Sequence, residues 1–496
     1  MAWSPYQNAI FADFQSGVGH SVVVACAGSG KTTTILAGLN HLPSDARVLF
    51  CAFGRDIARE LRERAPPHVD VKTLHVVGLD AINRNPFYRR ARIEDKKDMR
   101  LAQAVVANTN WEKMEPDAAN IICKAASLAK NLLVTSREQL VEMVKKFHLD
   151  TDNFPADEIA ALTAAAVRAA IDDRSQISFD DMIWLPVVLQ MSVAQYDYVI
   201  IDELQDVCLP QLRLGQAACA ATGRVIGVGD PRQAIYGFRG ADTDAVTRTV
   251  EELKAKVLPL SVCYRCAKNI VYEAQAFVPE IEAAPDAPDG EVVSADLRDM
   301  LLNVKPGDFI LSRANAPLSG LCYELVRNKM PARILGRSDV TAGLERLIRK
   351  SKANDAKSMC KWLEAFREKE RKRLETRPET FNAVEDMIDT LLGFAEDGDS
   401  VRTVQSRINQ LFVDKLNQDT SITLATTHRA KGKERNRVFL LEETYLRRPG
   451  IEEHNLMYVA ITRAKRSLMY VNGLFEQKTP ERSRSARSSM EQIPLL

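Results

Sequence analysis

The chain has 496 residues, 46% hydrophobic and 27% charged, so ordinary globular cores can form and global disorder is excluded. Lysine and arginine total 67 against 66 aspartates and glutamates, a formal net charge of +1. That balance excludes a uniformly basic binder and confines any nucleic-acid site to a local patch or groove.

At ~150 residues per domain, the length suggests about three domains. No apolar run approaches the ~18 residues that a membrane-crossing helix needs. The Ala-rich stretch 159–171 is short and carries Arg168. The opening Met-Ala-Trp-Ser-Pro has neither the basic nor the apolar region of a secretory signal. Nine cysteines are too sparse for a disulfide framework, and Cys263-Tyr264-Arg265-Cys266 is a lone CxxC without a second pair to complete a metal site. The expectation is a soluble, cytoplasmic protein with no membrane partner.

In chain order, β-branched runs predict strands at 21–25, 47–53, 196–201 and 224–229, then at 308–312, 332–335, 421–425, 437–442 and 467–471. Helical patterns alternate with them, which predicts an α/β fold with parallel sheets. Two long stretches read as helix only. The first, 84–176, holds DAANIICKAASLAKNLL and IAALTAAAVRAAI, with Ser136 and Gln139 spaced as a capping box. The second, 341–415, splits by charge: 345–377 carries twelve bases and six acids, 378–400 seven acids and no base. Beyond it Val401, Val404, Ile408 and Leu411 mark one apolar helix face.

The simplest organisation is two α/β cores, each with a helical insertion. The first core takes 1–83 and 177–255, with 84–176 inserted. The second takes 256–340 and 416–476, with 341–415 inserted. The Ser/Arg-rich tail, 477–496, reads as disordered.

Residues 25–32, Ala-Cys-Ala-Gly-Ser-Gly-Lys-Thr, stand between a strand and a helix pattern. Small residues such as Ala27, Gly28, Ser29 and Gly30 let backbone N–H groups wrap phosphates at a helix N-terminus. Lys31 then reaches the β- and γ-phosphates and the Thr32 hydroxyl ligates Mg²⁺, with Thr33 beside it. Ala25 replaces the first glycine of the usual pattern.

Asp202-Glu203 ends the strand YDYVII, where ligands of open α/β sheets bind. Asp202 suits a Mg²⁺ ion and Glu203 the activation of water. The stretch GVGDPRQAIYGFRGA offers Gln233 to sense a γ-phosphate, and Tyr236, Phe238 and Arg239 to stack on single-stranded bases. Further along lie Tyr264-Arg265, HRAKGKE (His428 to Glu434) and Arg463 in YVAITRAK; Arg265 and Arg463 are two candidates for the arginine that a P-loop enzyme often takes from another domain, worth ~10³–10⁵ in rate.

The set and order of these motifs resemble superfamily 1 DNA helicases of the UvrD/Rep type, from Pro5-Tyr6-Gln7 to about Tyr470. The resemblance implies two RecA-like motor cores with an ATP site between them, holding ATP and Mg²⁺. On it, Gln7 reads adenine, Lys31 and Thr32 hold phosphate and Mg²⁺, and DELQD at 202–206 matches the DExQD box. Gln233 couples to the γ-phosphate, Tyr264 packs on adenine, Arg265 reaches the γ-phosphate, Glu434 contacts ribose and Arg463 is the arginine finger. Phe53, Thr73, His75, Tyr236, Phe238 and His428 match single-stranded DNA contacts, and Phe179-Asp180-Asp181 leads back into the first core.

Several positions differ from the family pattern. Phe53-Gly54-Arg55-Asp56 replaces Phe-Thr-Asn-Lys, Phe238 stands where Trp is common, Lys433 where an apolar residue is usual, and the second insertion is short.

The implied activity is an ATP-dependent helicase or translocase moving 3′→5′ on single-stranded DNA and at single/double-strand junctions, with the pathway open among repair, plasmid or phage replication, recombination and defence. The compact length suggests a protein loading partner. The alternative is a nucleotide-gated DNA-binding or remodelling module that unwinds weakly alone and acts with a partner protein.

Overall fold

Two six-stranded parallel sheets organise the chain, each in its own compact unit. The computed structural model describes residues 3–107, 109–111, 115, 117–151, 153–236, 244–328, 330–335, 337–373, 378–396, 398–411, 420–445 and 450–473. One unit comprises residues 1–289 with 454–462, and the other 290–453 with the residues from Arg463 onward.

The first sheet contains β1 (Ser21–Ala25), β2 (Val48–Ala52), β3 (Val69–Thr73), β4 (Tyr196–Ile201), β5 (Cys219–Gly229) and β6 (Lys256–Leu260). Their order is β3-β2-β4-β5-β1-β6, every pairing parallel. Successive strand residues point to opposite faces, and both faces are covered. Val23, Phe50, Ile200 and Val228 therefore join one core with Phe14 and Ile35, while Val22, Leu49, Val199 and Ile201 join another with Leu204 and Leu212.

Between β3 and β4 the chain builds helices Lys97–Ala107, Ala118–Asn131, Arg137–Lys146 and Ala156–Asp172 around Ala102, Ile122, Leu140, Phe154 and Ile159. Ser136 and Gln139 form the capping box that their spacing predicts. A two-residue ladder, Arg92–Ile93 with Gln176–Ile177, joins the start and end of this excursion. Ser178 and Asp181 then cap helix Phe179–Val188 with a second such box.

Asp181 is also the hub of a buried ion cluster. It accepts from Lys97 at 2.7 Å and from Lys130 at 2.8 Å, and all three side chains are 0–1% exposed. Lys130 also pairs with Asp98. Burial alone raises a carboxyl pKa, yet the two ammonium groups hold Asp181 below the usual carboxylate value.

The second sheet contains β7 (Glu291–Asp296), β8 (Phe309–Ser312), β9 (Ala332–Ile334), β10 (Ile422–Thr426), β11 (Arg435–Leu441) and β12 (Ala464–Asn472), in the order β7-β12-β11-β8-β10-β9. Helices Arg337–Ser351, Ala356–Arg373, Pro378–Phe394 and Val401–Leu411 lie between β9 and β10. Their buried Leu344, Leu363, Ile388, Val404 and Ile408 share one core with Ile310 and Leu424 of the sheet. The charge split of this stretch is used internally: Arg371 pairs with Glu385 at 3.8 Å and Arg367 with Asp389, linking the basic helix to the acidic one. These pairs use part of the basic excess that the sequence shows at 345–377.

Two expectations need correction. The boundary drawn at 255/256 falls at 289/290, because β6 hydrogen-bonds to β1 along its whole length. Strands β3, β6 and β7 were not expected, and each is a sheet edge. Edge strands escape two-sided burial, so VDVKT, KVLPL and EVVSAD carry polar residues or proline where a central strand would not. The tail 477–496 lies outside the described residues.

Removing the charge at the hub leaves two buried ammonium groups without their shared carboxylate. Asp181→Asn is expected to lower stability by about 3–5 kcal/mol in urea unfolding at neutral pH. Because the folded pKa lies below the unfolded value of about 4, wild type loses this contribution as pH falls through the folded pKa. The difference between the two proteins should therefore shrink in acid, and an equal difference at every pH would refute the ion-pair account.

Candidate nucleotide site

Three chain segments meet at the carboxyl ends of β1, β4 and β5, neighbours in the first sheet. The first is the loop from Cys26 to Gly30, which feeds helix Lys31–Leu39. Gly28 and Gly30 have φ of +69° and +77°, the left-handed region that favours glycine. A Cβ on Gly28 would also lie 2.6 Å from the Arg265 Cβ, whereas Gly30 faces open space. Ala27 and Ser29 are buried, and the Ser29 hydroxyl has no hydrogen-bond partner among the described residues. Open space at the N-terminus of a helix beginning Lys-Thr-Thr fits a phosphate group.

The second segment leaves β4 as Asp202-Glu203. Glu203 is a non-glycine residue at φ +50°, a sparsely populated conformation found where the surroundings over-determine it. Its carboxylate lies 3.5 Å from the Lys31 ammonium and accepts from Gln205 Nε2 at 2.5 Å. Gln205 Oε1 in turn accepts the Asp230 N–H at 2.9 Å, tying this segment to the third. In that third segment Gln233 Nε2 donates to Asp230 Oδ2 at 2.6 Å.

The electrostatics follow from burial. Desolvation opposes the charge of Lys31, but Glu203, Asp230 and Asp202 outweigh it and raise the lysine pKa. Burial first, and Glu203 second, push Asp202 up to about 7. Asp230 is likewise raised, mainly by burial. A carboxyl held up by its neighbour's negative charge is a position that a divalent cation relieves. Thr32 and Asp202 are the residues that would hold Mg²⁺, an ion that takes one or two protein ligands and fills its shell with phosphate oxygens and water. No cluster of three or more His, Cys, Asp or Glu able to hold a metal occurs among the described residues.

Beside the loop, the Tyr264 N–H donates to the Gly28 carbonyl at 2.9 Å, and its hydroxyl donates to Gln7 Oε1 at 3.4 Å. Gln7 is the third residue of helix Pro5–Ser16 and completes a capping box with Ser4. That box turns Oε1 toward the Ser4 N–H, so Nε2 donates to Thr34 Oγ1 at 2.9 Å. The amide is thus held in one orientation, with one donor hydrogen to spare. Arg265 was expected on the second core. It belongs to the first unit, where Arg265 Nη1 donates to the Thr462 carbonyl at 3.3 Å.

The neighbouring strands β2 and β3 end in the expected contact residues. Phe53 is 44% exposed, and Thr73 caps helix Leu74–Arg84, which carries His75 in its first turn. Burial, then Arg55, lower the His75 pKa, so it is neutral near pH 7. The structure also brings together two residues that the sequence reading gave no binding role: the Arg55 guanidinium lies 5.9 Å from the ring of Phe179, which is 39% exposed. Arg55 looked like a loss relative to the family pattern, and Phe179 like a connector. Phe179 directly follows the N-cap Ser178, inside the box that Asp181 closes, and an aromatic at that position was the available signal. Tyr236 packs against Ile235, Leu456 and Val459. Phe238 and Arg239 lie outside the described residues.

In the second unit two distant motifs come together. Arg463, only 1% exposed, donates to the Lys433 carbonyl at 3.4 Å, and its own carbonyl accepts the Arg435 N–H at 3.0 Å. Glu434 pairs with Lys465 at 3.4 Å, and His428 lies on the short helix Thr427–Ala430 after β10.

Residues 6–254 match the UvrD/REP helicase N-terminal domain, and residues 338–472 match the UvrD-like helicase C-terminal domain. The chain belongs to the UvrD/Rep helicase family. Among curated relatives it is 26% identical over 291 residues to the ATP-dependent DNA helicase PcrA of Leuconostoc citreum, covering 53% of this chain and 38% of that protein. It is 25% identical over 286 residues to the PcrA of Bacillus subtilis (strain 168), covering 52% and 37%. The matched stretch thus spans well under half of each relative's length. Within this UvrD/Rep member, Tyr264 and Arg265 fall between the two matched domains, and the loop, DELQD and Gln233 fall inside the first.

Gly28→Ala both imposes a left-handed φ on alanine and drives a methyl into Arg265. It should weaken binding of a fluorescent Mg²⁺–ATP analogue by about ten-fold or more. Gly320→Ala, on a helix face with open space, should stay within about two-fold of wild type. Equal affinities in all three proteins would show that the loop does not hold the nucleotide.

Proposed function

We propose that this protein is an ATP-driven motor that steps along single-stranded DNA and separates duplex strands ahead of it. The observation that carries the reading is the convergence of Lys31, Glu203 and Gln233 at the carboxyl ends of neighbouring strands, with exposed Phe53 at the end of β2 beside β4. Gln233 and the Tyr236–Arg239 stretch lie in one segment of the chain, so a change at the γ-phosphate can move a base-stacking platform.

In this reading the loop amides and Lys31 bind the phosphates, Gln7 and Tyr264 hold the adenine, and Glu434 contacts the ribose. Glu203, oriented by Gln205, accepts a proton from the attacking water. Thr32 and Asp202 hold Mg²⁺, which when bound neutralises phosphate charge. Gln233 senses the γ-phosphate, and Arg265 and Arg463 stabilise the negative charge of the transition state. Phe53, Thr73, His75, Tyr236, Phe238, Arg239 and His428 contact DNA. Arg55 and Phe179 extend that surface, since an arginine beside an aromatic face suits base stacking. We assign 3′→5′ polarity and cytoplasmic action on the family relationship.

The test is steady-state ATP hydrolysis with and without single-stranded DNA, at two salt concentrations. Strong stimulation that weakens with salt is expected, with loss of activity in Lys31→Ala and Glu203→Gln and loss of stimulation in Phe53→Ala. Hydrolysis indifferent to DNA would refute stepping. Stimulation without unwinding of a tailed duplex would favour a nucleotide-gated module that needs a protein partner. Competition by RNA of equal length separates a DNA motor from an RNA motor.

A further inference from the structure

One helix touches three separate parts of the nucleotide site, and none of its contacting residues has a role in the assignments above. Helix Ile451–Ile461 carries Asn455 and Tyr458, and residues 454–462 belong to the first unit. Tyr458 is 0% exposed. Its hydroxyl accepts the Ala27 N–H of the phosphate loop at 2.8 Å and donates to Asp230 Oδ2 at 3.4 Å. The same Asp230 oxygen accepts from Gln233 Nε2 at 2.6 Å. Nearly one turn earlier, Asn455 Nδ2 donates to the carbonyl of Ala234, the residue after Gln233, at 3.0 Å. Just past the helix's end, the Thr462 carbonyl accepts from Arg265 Nη1 at 3.3 Å.

These contacts form a clasp. The tyrosine hydroxyl is both acceptor and donor, with both partners buried, so a phenyl ring at that point would leave the loop N–H without its acceptor. Ala27 and Asp230 are 0% and 2% exposed, so water does not readily replace it. The hydroxyl stays protonated because burial first, and the charge of Asp230 second, raise its pKa well above the ordinary value. We propose that Tyr458 is a positioning residue for hydrolysis: with Asn455 it locks the phosphate loop to the Asp230–Gln233 segment, so that Gln233 keeps a fixed distance from the loop. The proposal rests on the ATPase reading above, and it assigns Tyr458 no contact with the reacting atoms.

The test compares wild type, Tyr458→Phe and Asn455→Ala for kcat, KM for ATP, the ratio of rates with and without single-stranded DNA, and melting temperature. Tyr458→Phe keeps the ring and removes only the hydroxyl. It should lower kcat by about ten-fold, the scale of one lost buried hydrogen bond, with KM changed by less than about three-fold. The stimulation ratio should fall with it. Asn455→Ala should shift the same quantities in the same direction, and the double variant should lose less than the product of the two single losses, because one clasp is being broken. Unchanged kcat and stimulation ratio in Tyr458→Phe would overturn the proposal. So would a loss of kcat, KM and melting temperature together, which marks general structural support. If Tyr458→Phe does not fold, Asn455→Ala decides by the same readouts. A wild-type chain without DNA-stimulated hydrolysis overturns the ATPase reading itself, a result visible before any substitution is made.

Discussion

The Lys31 ammonium sits 3.5 Å from the Glu203 carboxylate at the carboxyl edge of the first sheet, with Asp202 and Asp230 adding to the negative field around it. The carboxyl groups raise the Lys31 pKa against its desolvation, with Arg265 opposing them, and burial first, then Glu203, pushes Asp202 up to about 7. In the proposed reading, Lys31 and the loop amides would hold the phosphates of a triphosphate, and a magnesium ion beside Asp202 would supply further positive charge. The strained φ of Glu203 and the Gln205 bridge are means of holding these like charges at fixed positions. Chain segments far apart in sequence converge here because parallel strands place all their carboxyl ends on one side.

Much of this was legible in the sequence, for physical reasons. Gly28 and Gly30 announce left-handed backbone, and central strands such as VLFCA are apolar throughout because both faces are covered. The edges were not legible, since VDVKT and EVVSAD lack that run, and missing KVLPL moved the domain boundary to the wrong side of Arg265. Long-range partnership was equally hidden. Tyr458 lies 431 residues from Ala27, and nothing local to YVAITRAK indicates that its hydroxyl answers a backbone N–H in the loop. Arg55 and Phe179 each read as ordinary until the fold brings guanidinium and ring together.

The helical excursions show two treatments of charge. In the first unit, two lysines and an aspartate are fully buried, and their mutual pairing is what makes the burial tolerable. This cluster fixes the excursion to helix Phe179–Val188, and through it the exposed ring of Phe179. In the second unit, opposite charges are spread along two helices and pair at their partly exposed faces, where each contact contributes little alone. The first arrangement joins the excursion to helix Phe179–Val188, and the second links two helices through partly exposed ion pairs.

The proposed motor requires a nucleotide site at the carboxyl ends of the first sheet's strands, with a divalent cation beside Asp202. The most direct measurement is equilibrium binding of a fluorescent ATP analogue across a Mg²⁺ titration, in wild type and in Asp202→Asn. Wild-type affinity should rise steeply with Mg²⁺, and the variant, with less negative charge to neutralise, should show a much weaker dependence. Tight binding that ignores Mg²⁺ in both proteins would contradict the account.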